Sequence, residues 1–274
     1  AVTSDGFTVT AGSSDNAYWN NNTATYVAWN WKAGGSSTTN PSGGTITTTA
    51  SVNTTAGFSV FTYTGNGSAA HLAHGLGVAP TVVIIKGRSN SDHWFVKHPG
   101  IAANEYIYLN NTSAKTSGVN AWSATNPDAT KIYVGTDGGV NGSGTTYVCY
   151  AFAEKKGYSK FGSYTANGNA DGSFVYLGFK PAFVIVKRTD SSGDGVLFDN
   201  KRPSENPTDL NIAPNTNGAE IDEGQGFDFL SNGFKIREAG NFVNAGGQPF
   251  IYMAFAENPF VANDSGTAVP VVAR

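Results

Sequence analysis

Four histidines lie close together in the chain, as HLAH at 71–74 and HWFVKH at 93–98. Imidazoles grouped in this way suit a transition metal such as zinc. Spacing alone makes no site. His71 and His74 fall opposite Gly172 and Val175 in the second copy of a repeat described below, so the fold does not require imidazole there. The competing reading places all four at loop surfaces or in hydrogen bonds at strand ends. Two oxygen-rich stretches, DSSGDG at 190–195 and GNADG at 168–172, have ligands for Ca2+ but not the EF-hand spacing with its distal glutamate. Asx and glycine turns account for them.

An enzyme needs a nucleophile beside its base, or two carboxylates flanking one bond. Neither a G-x-S-x-G elbow nor an H-E-x-x-H helix occurs. Asp92, Glu105, Asp199 and Glu223 are isolated acids that would serve a glycosidase only if folding paired two of them. The sequence therefore reads as non-enzymatic, with no catalytic residue, metal or cofactor assigned.

Aromatic side chains offer a different chemistry. Trp94, Trp122 and Tyr106 adjoin polar loop stretches, as do Tyr18 and Trp19, and ring faces flanked by amides and carboxylates suit sugars. The bland alternative is that tryptophans of a sandwich belong to its core. The residues expected at a binding surface are Trp94, Trp122 and Tyr106, with His71, His74 and His98. Sequons at Asn53, Asn66 and Asn141 follow from a chain rich in Asn, Ser and Thr, and no glycan is assigned to them.

Strands must hold these side chains, because the chain is poor in good helix formers. It has 34 glycines, 12 tyrosines and 17 phenylalanines among 274 residues, and only 14% charged residues. Its β-branched and aromatic residues gather in short blocks between Gly, Asn and Pro. The expected fold is all-β, built from tandem antiparallel β-sandwich modules of jelly-roll or lectin-like type. The net charge of -3 and the lack of any basic cluster argue against nucleic acid as a partner. The longest apolar run, TVVII at 81–85, is far short of the roughly 20 residues of a membrane helix, so no membrane insertion is expected. The single cysteine, Cys149, sits within an apolar strand and reads as a buried, inert thiol.

The strands repeat. GFSVFTYTGNG begins at Gly57 and GYSKFGSYTANG at Gly157. GVAPTVVIIKGR at 77–88 answers GFKPAFVIVKRT at 178–189, and YVCYAFAE at 147–154 answers FIYMAFAE at 250–257. The expected organisation is 1–32, closing strands of a preceding module; 33–56, a Gly/Ser/Thr-rich linker; 57–156 and 157–260, two β-sandwich modules; and 261–274, a C-terminal tail. Within 33–56, the alternative is a polar strand pairing along a neighbour, and linker is favoured only over 33–44. Alternation along 147–154 sets Tyr147, Cys149 and Ala151 on one face and Val148, Tyr150 and Phe152 on the other, both largely apolar, as in a central strand. Lys86 and Lys187 recur, as do Glu154 and Glu257. Each module is expected to pair its own Lys with its own Glu, a contact worth about 0 to 1 kcal/mol.

These motifs, with HGLGVAPTVVIIKGR, DNKRP and DFLSNGFK, resemble a repeated domain of structural proteins of marine tailed phages, cyanophages above all. DGFTV followed by TYVAWNWKAGG is similar to the closing part of a lectin-like or SPRY-like sandwich. The resemblance implies a tail-fibre-like virion appendage, assembled in the host cytoplasm and displayed on the virion surface. It implies a homotrimer, with other virion proteins and bacterial surface polysaccharide as partners. The competing functions are a purely architectural, virion-decorating protein and a polysaccharide depolymerase.

Overall fold

The computed structural model describes residues 6–9, 20–41, 43–203 and 205–257. The chain divides into two compact units, Ala1–Trp31 and Lys32–Arg274. In the first, the described residues 6–9 and 20–31 contain no strand, only an isolated bridge at Phe7, so the closing strands expected over 1–32 are not seen in its described part. Tyr18 and Trp19, and the tail from 258 onward, lie outside the described residues.

The second unit is all-β. Its first half contains β1 (Ser37–Thr39), β2 (Thr48–Asn53), β3 (Phe58–Thr64), β4 (Ala70–Ala73), β5 (Val82–Gly87), β6 (Phe95–Lys97), β7 (Glu105–Tyr108), β8 (Thr116–Ser117), β9 (Lys131–Val134) and β10 (Thr146–Phe152). Two single-turn helices, α1 (Val119–Trp122) and α2 (Gly138–Asn141), interrupt it. The second half contains β11 (Ser159–Thr165), β12 (Phe174–Tyr176), β13 (Phe183–Arg188), β14 (Gly195–Asp199), β15 (Thr208–Asn211), β16 (Ile221–Leu230), β17 (Gly233–Ile236), α3 (Asn241–Asn244) and β18 (Pro249–Phe255).

Both halves are built around one strand order. β3-β10-β5-β6 lies within an eight-stranded sheet, β11-β18-β13-β14 forms a four-stranded one, and all pairs are antiparallel. A second sheet closes each sandwich: the two-stranded β4-β9 in the first half and the four-stranded β12-β17-β16-β15 in the second. Phe61, Ile85, Tyr147 and Cys149 meet Leu72 and Ile132 in one core. Tyr164, Val186 and Phe250 meet Phe227 and Phe234 in the other.

The same polar pin holds each half. The Tyr63 hydroxyl donates to Val140 O and the Tyr164 hydroxyl to Val243 O, both at 2.6 Å. Asn141 accepts from Asn66 N (3.0 Å) and donates to the carbonyls of Ser68 (2.6 Å) and Gly135 (2.8 Å). Asn244 likewise accepts from Asn167 N (3.0 Å) and donates to Asn169 O (2.7 Å) and Glu238 O (2.6 Å). Both amides are fully buried and fully used, as burial of a polar group demands.

Where the halves differ, size is compensated across strands. Phe61 faces Cys149 in the β3–β10 ladder, and Gly162 faces Tyr252 at the corresponding place in β11–β18. A Cβ on Gly162 would lie 2.8 Å from the Tyr252 hydroxyl oxygen. The small residue therefore changes strand between the halves while the pair keeps one large ring.

The two large sheets also pack on each other. Ile84, Val96 and Ile107 face Ile185, Ile251 and Met253 around a void of about 40 Å³, and the Phe152 ring lies 6.2 Å from Phe161 and 5.7 Å from Phe255. Each central strand therefore buries one face in its own core and the other against the sister repeat, which accounts for its two apolar faces. Polar contacts cross the same boundary. The Lys115 and Gly193 amides donate to Thr189 O (2.9 Å) and Thr112 O (2.8 Å), and Lys187 Nζ donates to Asn111 O (2.9 Å) and Gly193 O (2.8 Å).

Two further expectations are corrected. Residues 48–53 are a strand of the large sheet, not a linker, and residues 37–39 pair with them. Thr48 and Ala50 point inward and are buried while Thr49 is exposed, and β-branched threonine tolerates this pleated, half-buried setting. The Lys–Glu pairs do not form. Lys86 sits opposite Val148, so Glu154, six residues further along the chain, is about 20 Å away at 3.3 Å per residue. Lys86 Nζ donates to Gly87 O (2.8 Å), the Glu154 carboxylate accepts from Phe161 N (2.8 Å), and Glu257 pairs with Lys201.

Candidate functional site

A concave feature large enough for a ligand is an open groove of about 530 Å³ on the outer face of the eight-stranded sheet, within the range of about 300–1,000 Å³ usual for ligand clefts. Three separate stretches of chain build it. Thr45, Thr47 and Thr49 come from the lead-in to β2 and its start, Thr62 and Thr64 from β3, and Thr146 from β10. Strand register sets Thr49 opposite Thr62 and Thr64 opposite Thr146, so alternation aims these hydroxyls out of the same face. Asn66, Arg88 and the largely buried Ile46 and Tyr63 complete the lining.

One wall is held from behind. The His71 carbonyl accepts from Thr45 N (3.0 Å) and Ile46 N (3.3 Å), and His71 N donates to the Thr45 hydroxyl (2.9 Å). The hydroxyls of Thr47, Thr49, Thr62, Thr64 and Thr146 make no hydrogen bond to a described residue. They are available to a polar ligand.

The residues expected at a binding surface are dispersed. Trp122 is fully buried and Tyr106 nearly so, which corrects their assignment as exposed sugar platforms. Trp122 ends the single turn α1, whose inward face is also the site of Ala121, and Lys97 Nζ lies 5.7 Å from its ring. Tyr106 stacks among Phe95 and Tyr108. Trp94 is half-buried, with its ring 6.2 Å from that of Tyr150. Continuing the β5–β6 register places it opposite Lys86, on the face of the sheet that carries the groove.

The histidines do not converge. His71 is partly exposed near Tyr133, whereas His74 and His98 are buried. In both, Nδ1 accepts a hydrogen bond from the amide two residues on, and Nε2 meets a distant carbonyl: Asp128 O for His74 and Tyr252 O for His98. That pattern requires the neutral ring protonated on Nε2. Burial lowers the pKa of His74, and it pushes His98 down to about 4. Neither ring offers a free lone pair to a metal. Among the described residues no three His, Cys, Asp or Glu side chains gather as a metal cluster.

Several acids are tied to cations or to backbone, whereas the side chain of Glu223 lies outside the described residues. Glu105 pairs with Lys115 (3.0 Å), Asp190 with Arg188 (2.6 Å) and Asp171 with Lys235 (2.8 Å). Asp199 is buried, and burial raises its pKa, but Arg202 (2.8 Å) and two backbone amides outweigh that and hold it low. The Tyr133 hydroxyl, first among several donors, holds Asp128 well below the usual carboxylate range. Cys149 is buried and free, its thiol pushed up by burial. No helix among the described residues is long and apolar enough to cross a membrane.

Sequence reading missed the groove. Its only signal is a surplus of threonine at 45–49, 62–64 and 146, three places that only the fold brings together. Residues 1–259 match the model of a family described as Domain of unknown function (DUF7483). No curated protein and no solved structure matches the chain.

Proposed function

The chain belongs to the DUF7483 family, whose description carries no function; from the resemblance of its repeats to phage structural proteins and from the geometry above, we propose a non-enzymatic virion surface protein that acts as a stiff spacer and binds bacterial surface polysaccharide. The threonine-lined groove carries the reading. A sugar chain presents hydroxyls that both donate and accept, and a row of unpartnered threonine hydroxyls complements it without a deep pocket. Trp94 and Tyr150 add ring surface on the same face. The packed sheets supply stiffness, since the two repeats share a third apolar layer.

An open groove binds a sugar weakly. Three such chains in one appendage, and several appendages on one cell, would raise the avidity by roughly 100- to 10,000-fold. The test is surface plasmon resonance of the purified protein over immobilised envelope polysaccharide, beside the double variant Thr62→Val, Thr64→Val. These changes keep shape and delete two hydroxyls. A response that falls at least about tenfold in the variant, the equivalent of 1.4 kcal/mol, supports the reading. No response from the wild-type protein sinks it and leaves the architectural role.

A further inference from the structure

Within the groove, read as above as a polysaccharide site, we propose that Arg88 makes the ligand an acidic one, a sugar chain bearing carboxylate or sulfate groups. Arg88 is the one charged side chain of the lining. It is exposed and makes no ion pair with a described residue. No carboxylate lines the groove to compete for it, although the protein as a whole carries a net charge of -3.

The neighbouring cation is already used. Lys86 stands two residues earlier on the same strand, and its ammonium donates to the carbonyls of Gly87 (2.8 Å) and Asn90 (3.3 Å). Arg88 is anchored only through its backbone, the amide donating to Thr146 O at 2.7 Å. Its position is thereby fixed beside Thr146 and Thr64 while the guanidinium stays uncommitted. A guanidinium meets a carboxylate or sulfate through two parallel hydrogen bonds. The adjoining hydroxyls then engage the ring substituents of the same sugar.

The experiment is isothermal titration of the full chain with three oligosaccharides of matched length: an oligogalacturonate, its methyl ester, and a sulfated galactan. Wild type, Arg88→Lys, Arg88→Ala and the Thr62→Val, Thr64→Val double variant are compared. Wild type is expected to bind at least one charged probe about tenfold or more tighter than the ester, with the advantage shrinking as salt screens it. Arg88→Ala should erase that advantage and keep the weaker binding of the ester. Arg88→Lys should keep part of it, because the charge remains and the fork is lost. The threonine variant should weaken all probes alike. Whichever charged probe is preferred identifies carboxylate or sulfate.

Equal binding of ester and charged probes by wild type, or an advantage that survives in Arg88→Ala, overturns the role of Arg88 and leaves the groove as a neutral-sugar site. Failure of every probe to bind overturns the groove itself, and this inference with it. Arg88 is at the surface, so an unchanged melting temperature in its variants separates loss of recognition from loss of fold.

Discussion

Acidification should loosen the contact between the repeats through one imidazole. His98 Nε2 donates to Tyr252 O across the boundary at 3.0 Å, and Nδ1 accepts from Gly100 N at 3.1 Å. Protonation would set an N–H against the Gly100 N–H in a site that water does not reach. The ring therefore stays neutral in the folded chain down to about pH 4, whereas in the unfolded chain it titrates at the ordinary value of 6.5. Below pH 6.5 the unfolded state binds the extra proton, so stability is complete above that pH and is lost as pH falls towards 4. The full difference corresponds to about 3 kcal/mol, most of which is gone by pH 4.5. The assay is urea unfolding at pH 7.5, 5.5 and 4.5, run on wild type and His98→Gln. Glutamine retains a donor for Tyr252 O and cannot titrate, so it should be less stable at pH 7.5 and lose less on acidification. Other groups, His74 and the paired carboxylates among them, contribute equally to both proteins and cancel in the comparison. If the two proteins lose stability in parallel between pH 7.5 and 4.5, the burial argument for His98 is wrong.

Two further outcomes test the packing. Asn141→Ala and Asn244→Ala each remove the shared partner of two carbonyls and an amide N–H, and each should cost about 1 to 3 kcal/mol in denaturant melts; a cost below about 0.5 kcal/mol for both would show that the pin is not structural. Gly162→Phe should destabilise by at least about 1 to 3 kcal/mol through the clash with Tyr252, and Tyr252→Cys in the same chain, which returns the pair to one ring as in Phe61 and Cys149, should recover much of that loss. Additive losses in this double variant would contradict the size compensation inferred from Phe61 and Cys149.

The repeat was legible because it is written in residues with exacting surroundings. Glycines at left-handed positions recur in both halves, Gly67 with Gly168 and Gly144 with Gly247, all near φ +72 to +76, and other residues are strained there. The Tyr and Asn of the polar pin recur with them. Burial of particular aromatics was not legible. Trp122 and Tyr106 sit in elements of only four residues each, too short for a period to reveal which way they point. Residues 48–53 read as linker because threonine and serine dominate both linkers and polar strands, and only the ladder to β3 separates the two. Period-two alternation shows that β10 has two apolar faces. It carries no information on what covers the second one.

That second face also determines where a ligand can bind. A sheet of four strands packs against a sheet of eight, so it cannot cover the whole of the larger one. The contact falls on β5, β6 and β7, around Ile84, Val96 and Ile107. The uncovered part is the side extended by β1 and β2, two strands without a counterpart beside β11. There the outward positions are threonines in place of the valines, isoleucines and phenylalanines used in the contact. An uncovered apolar face would pair with another molecule or aggregate, and hydroxyls on a β-branched frame keep the strand conformation while accepting water. Water on such a face is readily exchanged for sugar hydroxyls, so under the proposed reading the threonines that keep the extension hydrated would also be the ones that meet the ligand.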